Sequence, residues 1–90
     1  MNDNPFGERT LYTLVDLEGN GSTITLDKLP ADVLQTVLPD VHAWVQNAYT
    51  RVATRRPQAT RREQGNFVRA LAYREAQKHP EYERLLSEFL

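Results

Sequence analysis

One alternating segment sets the fold class of this chain: LYTLVDLEGNGSTITL, residues 11–26. In both halves of the segment, apolar side chains recur at every second position, the period of a β-strand with one buried face. Between the halves lies Asn20-Gly21, a pair that favours a type I′ turn because both central positions of that turn need a positive φ. The segment therefore predicts a β-hairpin over residues 9–28.

The predicted turn also fixes which strand residues face each other. A two-residue turn at Asn20-Gly21 places Leu17 opposite Ile24. Two residues further along each strand, it places Val15 opposite Leu26, so that apolar side chains meet on one face. Gly19 leaves room for a bulge or a longer loop, which is the alternative.

Four amphipathic segments follow the predicted hairpin, each with apolar residues at helical spacing. Pro30 suits the first turn of the first segment, and Pro39 and Pro80 separate neighbouring segments because proline does not continue a helix. The second segment, roughly residues 40–54, is expected to be the main core helix. Its apolar stripe is Val41, Trp44, Val45, Ala48, Tyr49 and Val52.

The third segment has a clear start signal. Thr60 and Glu63 form the pattern of a capping box, which predicts a helix over about residues 61–78. Gly65 lies inside this helix at a cost of about 1 kcal/mol relative to alanine. Either another group approaches the backbone there or the helix begins late. The expected apolar face is Phe67, Val68, Leu71 and Ala72, and it should bury Trp44 against the hairpin.

Together these patterns predict an α+β fold, in which an N-terminal β-hairpin packs on a small bundle of three to four α-helices. The 90 residues form one small domain. It consists of a flexible lead-in over residues 1–8, the hairpin over residues 9–28 and a helical part over residues 30–90.

Several function classes are disfavoured by what the sequence lacks. It has no cysteine, which removes disulfides, thiolate zinc sites and cysteine nucleophiles. No apolar run reaches the length of a membrane span, and the polar N-terminus does not resemble a signal peptide, so a soluble, cytoplasmic protein is expected. His42 and His79 lie in no catalytic or metal-binding motif. We therefore expect no enzymatic activity, no catalytic residue, no metal and no cofactor.

Charge is strongly segregated along the chain, although the formal net charge is only −1. Residues 1–50 hold two basic and seven acidic side chains, whereas residues 51–78 hold eight basic and two acidic ones. Such a layout can serve an anionic partner. It can equally serve ion pairing between the two halves of the chain, or between two copies of it.

The candidate binding surface is the arginine-rich part of the chain. A protein partner of unknown identity is the first prediction, with the chain acting as an adaptor or inhibitor. DNA or RNA binding by the helix that starts near Thr60 is the alternative, because these residue types contact phosphates and base edges. A pI near 6.1 argues against strong nonspecific nucleic-acid binding. The candidate residues are Arg51, Arg55, Arg56, Arg61, Arg62, Gln64, Asn66 and Arg69.

The last helical segment suggests an assembly. After Pro80, a short stripe holds more apolar side chains than a surface helix needs, which predicts a homodimer through this face. The alternative is that the helix closes the core of a monomer. A free hairpin edge could pair across a two-fold axis as well. The stripe is Tyr82, Leu85, Leu86 and Phe89.

One partial resemblance lies near the N-terminus. The motifs Asn4-Pro5-Phe6, Tyr12-Thr13-Leu14-Val15 and Glu18-Gly19, followed by Ser22, are similar to the start of MbtH-like proteins, small partners of adenylation domains. The tryptophans that mark that family after the positions of Ser22 and Pro30-Ala31 are missing here, and the C-terminal half does not fit. The resemblance implies a small adaptor and assigns no residue a role.

Overall fold

The computed structural model describes residues 7–90, so most of the predicted lead-in lies outside the described residues. Two antiparallel strands, β1 (Arg9–Val15) and β2 (Gly21–Asp27), form the hairpin. Four helices follow: α1 (Lys28–Val37), α2 (Val41–Arg55), α3 (Arg61–Gln77) and α4 (Pro80–Ser87). This is the predicted α+β fold in the predicted order. Within the described part, no helix is long and apolar enough to cross a membrane.

Side chains cap the N-termini of α2 and α3. The carboxylate of Asp40 accepts a hydrogen bond from the N–H of Ala43 at the start of α2 (3.0 Å). At the start of α3, Thr60 Oγ1 accepts from the N–H of Glu63 (3.1 Å), and the Glu63 carboxylate accepts from the N–H of Thr60 (2.8 Å). The predicted capping box is confirmed. These bonds satisfy N–H groups that have no partner within the helix.

The hairpin register differs from the predicted one. Val15 pairs with Gly21, so the loop between the strands holds the five residues 16–20. The predicted two-residue type I′ turn at Asn20-Gly21 is wrong, and the longer loop that Gly19 allowed is present. Every predicted cross-strand pair is therefore shifted.

The Asp16 side chain accounts for the longer loop. Its carboxylate accepts hydrogen bonds from the N–H groups of Glu18 (2.9 Å) and Asn20 (2.8 Å). These bonds fold the loop back onto Asp16, which is the first loop residue. Gly19 adopts a φ of 87°, a left-handed conformation that glycine takes without a steric cost. The positive φ thus falls at Gly19 rather than at Asn20 and Gly21.

The shifted register changes which face of β1 is buried. The inward face carries Tyr12, Leu14, Ile24 and Leu26. Ile24 and Leu26, the predicted inward residues of the second strand, are buried as expected. The predicted inward residues of the first strand, Val15 and Leu17, are 52% and 56% exposed. Val15 lies on the outer face of β1 with Leu11, and Leu17 lies in the loop between the strands.

The core lies between the inward hairpin face and the four helices. α3 contributes a narrow stripe of small side chains to this core, which lets its backbone approach its neighbours closely. Phe67, predicted to be buried, is 42% exposed and lies outside the core. Trp44 is only partly buried, at the edge of the core beside Arg51. The largest fully buried side chains are Leu26, Leu29, Leu34, Val33, Val45, Val68 and Pro30.

One carboxylate ties the hairpin to α3. Asp27, the last residue of β2, accepts from Arg9 Nε (3.1 Å) and from the hydroxyl of Tyr73 (2.5 Å). Burial and the adjacent Asp27 carboxylate raise the pKa of Tyr73 above its ordinary value. The start of β1, the end of β2 and the middle of α3 are held together at this point.

Helix α4 packs on α1 and α3. Three residues of its predicted dimer stripe, Tyr82, Leu85 and Leu86, are partly buried against the core. Phe89 remains 40% exposed. Most of the stripe thus closes the monomer core, which was the alternative, and the homodimer stays a prediction that depends on a smaller surface.

Candidate binding sites on the two sides of α3

Helix α3 separates two concave surfaces. With 3.6 residues per turn, Phe67 and Arg74 lie on one side of its buried stripe, and Arg62 and Arg69 lie on the other. The first side faces α2 across what we call the α2–α3 groove. The second side faces the hairpin across what we call the β2–α3 pocket. The predicted arginine surface is therefore divided in two.

The α2–α3 groove combines an apolar floor with a basic rim, in a volume of about 420 Å³. Arg51 and Arg55 are four residues apart and project from the same face of α2. Arg74 faces them from α3. The groove is lined by Arg51, Val52, Arg55, Arg56, Phe67, Ala70, Leu71 and Arg74.

Arg56 and Phe67 form the centre of this groove. The Arg56 guanidinium lies over the Phe67 ring, 4.8 Å from its centroid, within the range of a cation–π interaction. Arg56 is also the C-cap of α2, where its N–H donates to the carbonyl of Val52. The cap places the arginine beside α3 and gives the exposed ring a cationic partner.

Among the described residues, no carboxylate neutralises the rim of the α2–α3 groove. Within residues 7–90, the groove arginines form no ion pair, and no acidic side chain lines the groove. The acidic N-terminal half therefore does not pair with the arginine-rich stretch in the described residues. The ion pairs there are Arg9–Asp27, Lys28–Asp32, Lys78–Glu75, His79–Glu75, Arg84–Glu81 and Arg84–Glu88.

The β2–α3 pocket is more polar and has a volume of about 320 Å³. Three arginines reach it from α3, and β2 contributes hydroxyl groups. The Arg61 guanidinium donates to Ser22 Oγ, which holds the two walls together. The lining is Ser22, Thr23, Ile24, Thr25, Tyr49, Arg61, Arg62, Gly65 and Arg69.

Arg69 folds back along α3 over Gly65. Its guanidinium donates to Asn66 Oδ1 (2.7 Å) and to the carbonyl of Thr25 (3.2 Å). A Cβ atom at Gly65 would lie 3.1 Å from Arg69 Nη2. The helix begins at Arg61, so the first explanation for Gly65 holds: another group approaches the backbone. Burial, reinforced by the charge of Arg9, lowers the pKa of Arg69.

The structure distributes the predicted site residues as follows. Arg51, Arg55 and Arg56 line the groove, whereas Arg61, Arg62 and Arg69 line the pocket. Asn66 positions Arg69. Gln64 is buried, with its side-chain amide directed at the Arg56 carbonyl (3.5 Å), so it is not part of either surface.

Sequence reasoning missed several lining residues. Phe67 was assigned to the predicted apolar face of the helix, and Arg74 was not among the candidate residues. Their spacing of seven residues, two helical turns, was the available signal that they share a face. Ser22 could not be found from sequence, because its place beside Arg61 depends on how the hairpin packs on α3.

Comparison of the chain with protein-family models, with curated proteins and with solved structures finds no match. The short N-terminal similarity to MbtH-like proteins is thus not extended by a family match.

Proposed function

We propose that this chain is a small non-enzymatic binding protein, an adaptor or inhibitor, that docks on a larger protein partner. The α2–α3 groove would receive a segment of the partner that carries both acidic and apolar side chains. The observation that carries this proposal is the exposed, arginine-covered Phe67 at the centre of a groove whose rim arginines form no ion pair within residues 7–90. A cytoplasmic location is part of the same proposal.

The two parts of the groove have complementary roles in such docking. The floor offers Phe67 and Leu71 to apolar side chains, whose transfer out of water is favourable. The rim offers guanidinium groups, which bind carboxylates through paired, charge-assisted hydrogen bonds. Aromatic residues and arginine are enriched among the residues that dominate protein interfaces.

Trp44 extends this surface along α2. It lines a pocket of about 190 Å³ with Asn47, Ala48 and Arg51, and Arg51 also lines the groove. Trp44 is the only tryptophan in the chain. Its fluorescence therefore reports binding at the groove without a label.

A designed peptide tests the proposal. The probe is a synthetic amphipathic peptide of about 15 residues, roughly four helical turns. It has leucine along one face, glutamate elsewhere and no tryptophan. We expect a saturable change in Trp44 fluorescence with a micromolar dissociation constant. A second peptide with lysine in place of every glutamate should not bind.

Two matched variants locate the peptide. Arg55→Glu reverses a charge in the groove and should abolish binding, whereas Arg62→Glu makes the same change in the β2–α3 pocket and should leave binding nearly intact. Phe67→Ser should weaken binding without unfolding the chain. The proposal would be contradicted if Arg55→Glu and Arg62→Glu lost peptide affinity equally, or if the lysine peptide bound as tightly as the glutamate peptide.

Nucleic-acid binding remains the second candidate because arginines flank both sides of the exposed ridge of α3. A helix in a major groove can contact phosphates on both flanks. Titration of labelled DNA and RNA at two salt concentrations tests it, with an expected log–log slope of about −0.9 per phosphate neutralised on duplex DNA. Here Arg55→Glu and Arg62→Glu should weaken binding equally. No binding at low salt removes this candidate.

A further inference from the structure

We propose that the β2–α3 pocket is a second, separate binding site, and that it takes the phosphate group of a small molecule, either inorganic phosphate or a phosphomonoester. This inference goes beyond docking on a protein partner, since it concerns the opposite side of α3. It depends on side chains of β2 and α3 that the groove does not use.

The donors in this pocket suit a tetrahedral anion. Arg61, Arg62 and Arg69 line one wall, and the hydroxyl-bearing residues Ser22 and Thr23 lie on the other. Guanidinium groups present several N–H donors in a planar arrangement that matches phosphate oxygens. Among the described residues, no carboxylate lines the pocket, so an entering anion meets no acidic competitor there.

Two of these arginines are held in place by uncharged hydrogen-bond acceptors, although the Asp27 carboxylate also attracts Arg69. Arg69 donates to an amide oxygen of Asn66 and to the carbonyl of Thr25, and Arg61 donates to the Ser22 hydroxyl. All three acceptors are uncharged. The pocket therefore keeps its positive charge while its donors are already oriented, which lowers the entropic cost of binding an anion.

Gly65 supports a role for Arg69 beyond packing. A glycine inside a helix costs about 1 kcal/mol relative to alanine, and here its missing side chain is what lets the guanidinium lie against α3. The helix thus carries a destabilising glycine at the point where the Arg69 guanidinium is placed in the pocket. Such departures are expected at functional positions.

The shape of the pocket favours a small ligand over a polymer. Tyr49 and Ile24, both almost fully buried, close its inner side. The remaining arginines of the chain's basic stretch lie across α3 in the groove. The pocket thus offers one cluster of donors for one phosphate rather than a track for successive phosphates.

The test is a titration of the full chain with inorganic phosphate, followed by NMR at constant ionic strength, with chloride replaced by phosphate. We expect saturable shifts of the Nε–Hε signals of Arg61, Arg62 and Arg69, with a dissociation constant of about 1 mM or lower. Arg62→Gln should weaken binding at least about tenfold, because it removes a charged donor. Arg62 is exposed and makes no hydrogen bond to the rest of residues 7–90, so folding should be unaffected.

Two further variants make the test specific. Arg55→Gln removes the same charge from the groove and should change the dissociation constant by less than about twofold, since exposed charges across a helix are screened. Gly65→Ala removes no charge but displaces the Arg69 guanidinium. It should weaken phosphate binding several-fold while the melting temperature stays the same or rises.

The outcomes divide clearly. Two results would contradict the proposed site. One is a set of NMR shifts that grow linearly with phosphate concentration, and the other is an equal loss of phosphate affinity in Arg55→Gln and Arg62→Gln. Glycerol 3-phosphate or adenosine monophosphate binding more tightly than phosphate identifies a phosphomonoester as the ligand, and no gain over phosphate identifies the inorganic ion. If a single-stranded oligonucleotide at equal phosphate concentration binds far more tightly than all three, the small-molecule proposal is wrong.

Discussion

The side-chain amide of Gln46 bonds to both backbone groups of Val15, as a neighbouring strand would. Val15 N–H donates to Gln46 Oε1 (2.9 Å), and Gln46 Nε2 donates to the Val15 carbonyl (3.0 Å). Close by, His42 Nε2 donates to the carbonyl of Thr13 (2.6 Å). Two side chains of α2 thus occupy much of the outer edge of β1, an edge that would otherwise be open to pairing with another chain.

Gln46→Ala should destabilise the fold by about 1 kcal/mol, because water replaces the lost partners only in part at this exposed edge. Chemical denaturation measures the change. Asn47→Ala, next to it on α2 and exposed, is the control and should lie within about 0.5 kcal/mol of the parent chain. Equal effects of the two variants would mean that the Gln46 bonds add nothing.

The observed register predicts opposite outcomes for two leucines of β1. Leu14 is 4% exposed and Leu11 is 60% exposed. Leu14→Ala should therefore cost about 3 kcal/mol, whereas Leu11→Ala should cost less than about 0.5 kcal/mol. Thermal unfolding of both variants compares the same chemical change on the two faces of one strand. A larger loss for Leu11→Ala would contradict the observed register and support the predicted one with a two-residue turn.

The bond between Tyr73 and Asp27 predicts an alkaline transition. Because the folded state raises the pKa of Tyr73, the stabilisation is complete below the unfolded-state pKa of about 10 and is lost as pH rises above it. Tyr73→Phe should cost about 2 kcal/mol at neutral pH, typical of a hydrogen bond to a charged group. The difference between parent and variant should shrink above pH of about 10.

Denaturation at a series of alkaline pH values measures this difference. A Tyr73→Phe difference that stays constant through the alkaline range would show that the hydrogen bond is not coupled to Tyr73 ionisation.

Helix α4 is expected to belong to the monomer core. A truncation ending at His79 uncovers the surfaces of α1 and α3 on which Leu85 and Leu86 pack. It should lose most of its stability, while removal of only Phe89 and Leu90 should be tolerated. Circular dichroism during thermal unfolding compares the two truncations. A stable fold after truncation at His79 would place α4 outside the core.

The homodimer prediction needs a variant that keeps α4 in place. Phe89→Glu changes an exposed residue and should convert a dimer into a folded monomer, as measured by light scattering at two protein concentrations. If the parent chain is monomeric at the higher concentration, the dimer prediction is wrong.

The helices were predictable because their signals are local. Asp40 and the pair Thr60 and Glu63 supply caps within three residues of the N–H groups they satisfy, and Pro80 begins α4. The register of the hairpin was harder to predict from the sequence. It depends on whether the Asp16 carboxylate bonds inside the loop, and Asn20-Gly21 offered a turn that was equally consistent with the local sequence.

The sequence indicated which types of residue form the candidate sites, but it did not indicate how those residues are arranged. The arginines were correctly expected to be exposed at Arg55, Arg56, Arg61 and Arg62. Their division between two surfaces follows from which face of α3 is buried. That face is chosen by close packing of small residues such as Ala72 and Ala76 rather than by the size of Phe67, and close packing between helices is a property of the whole fold.

Because both sites share α3 as a wall, occupation of one site would be linked to the other by a free energy of coupling. Such coupling is reciprocal: if phosphate beside Arg69 changed the affinity of the groove for a peptide by some factor, the peptide would change the affinity for phosphate by the same factor. Simultaneous titrations would measure it. A single shared helix would then make this domain sensitive to two different molecules at once.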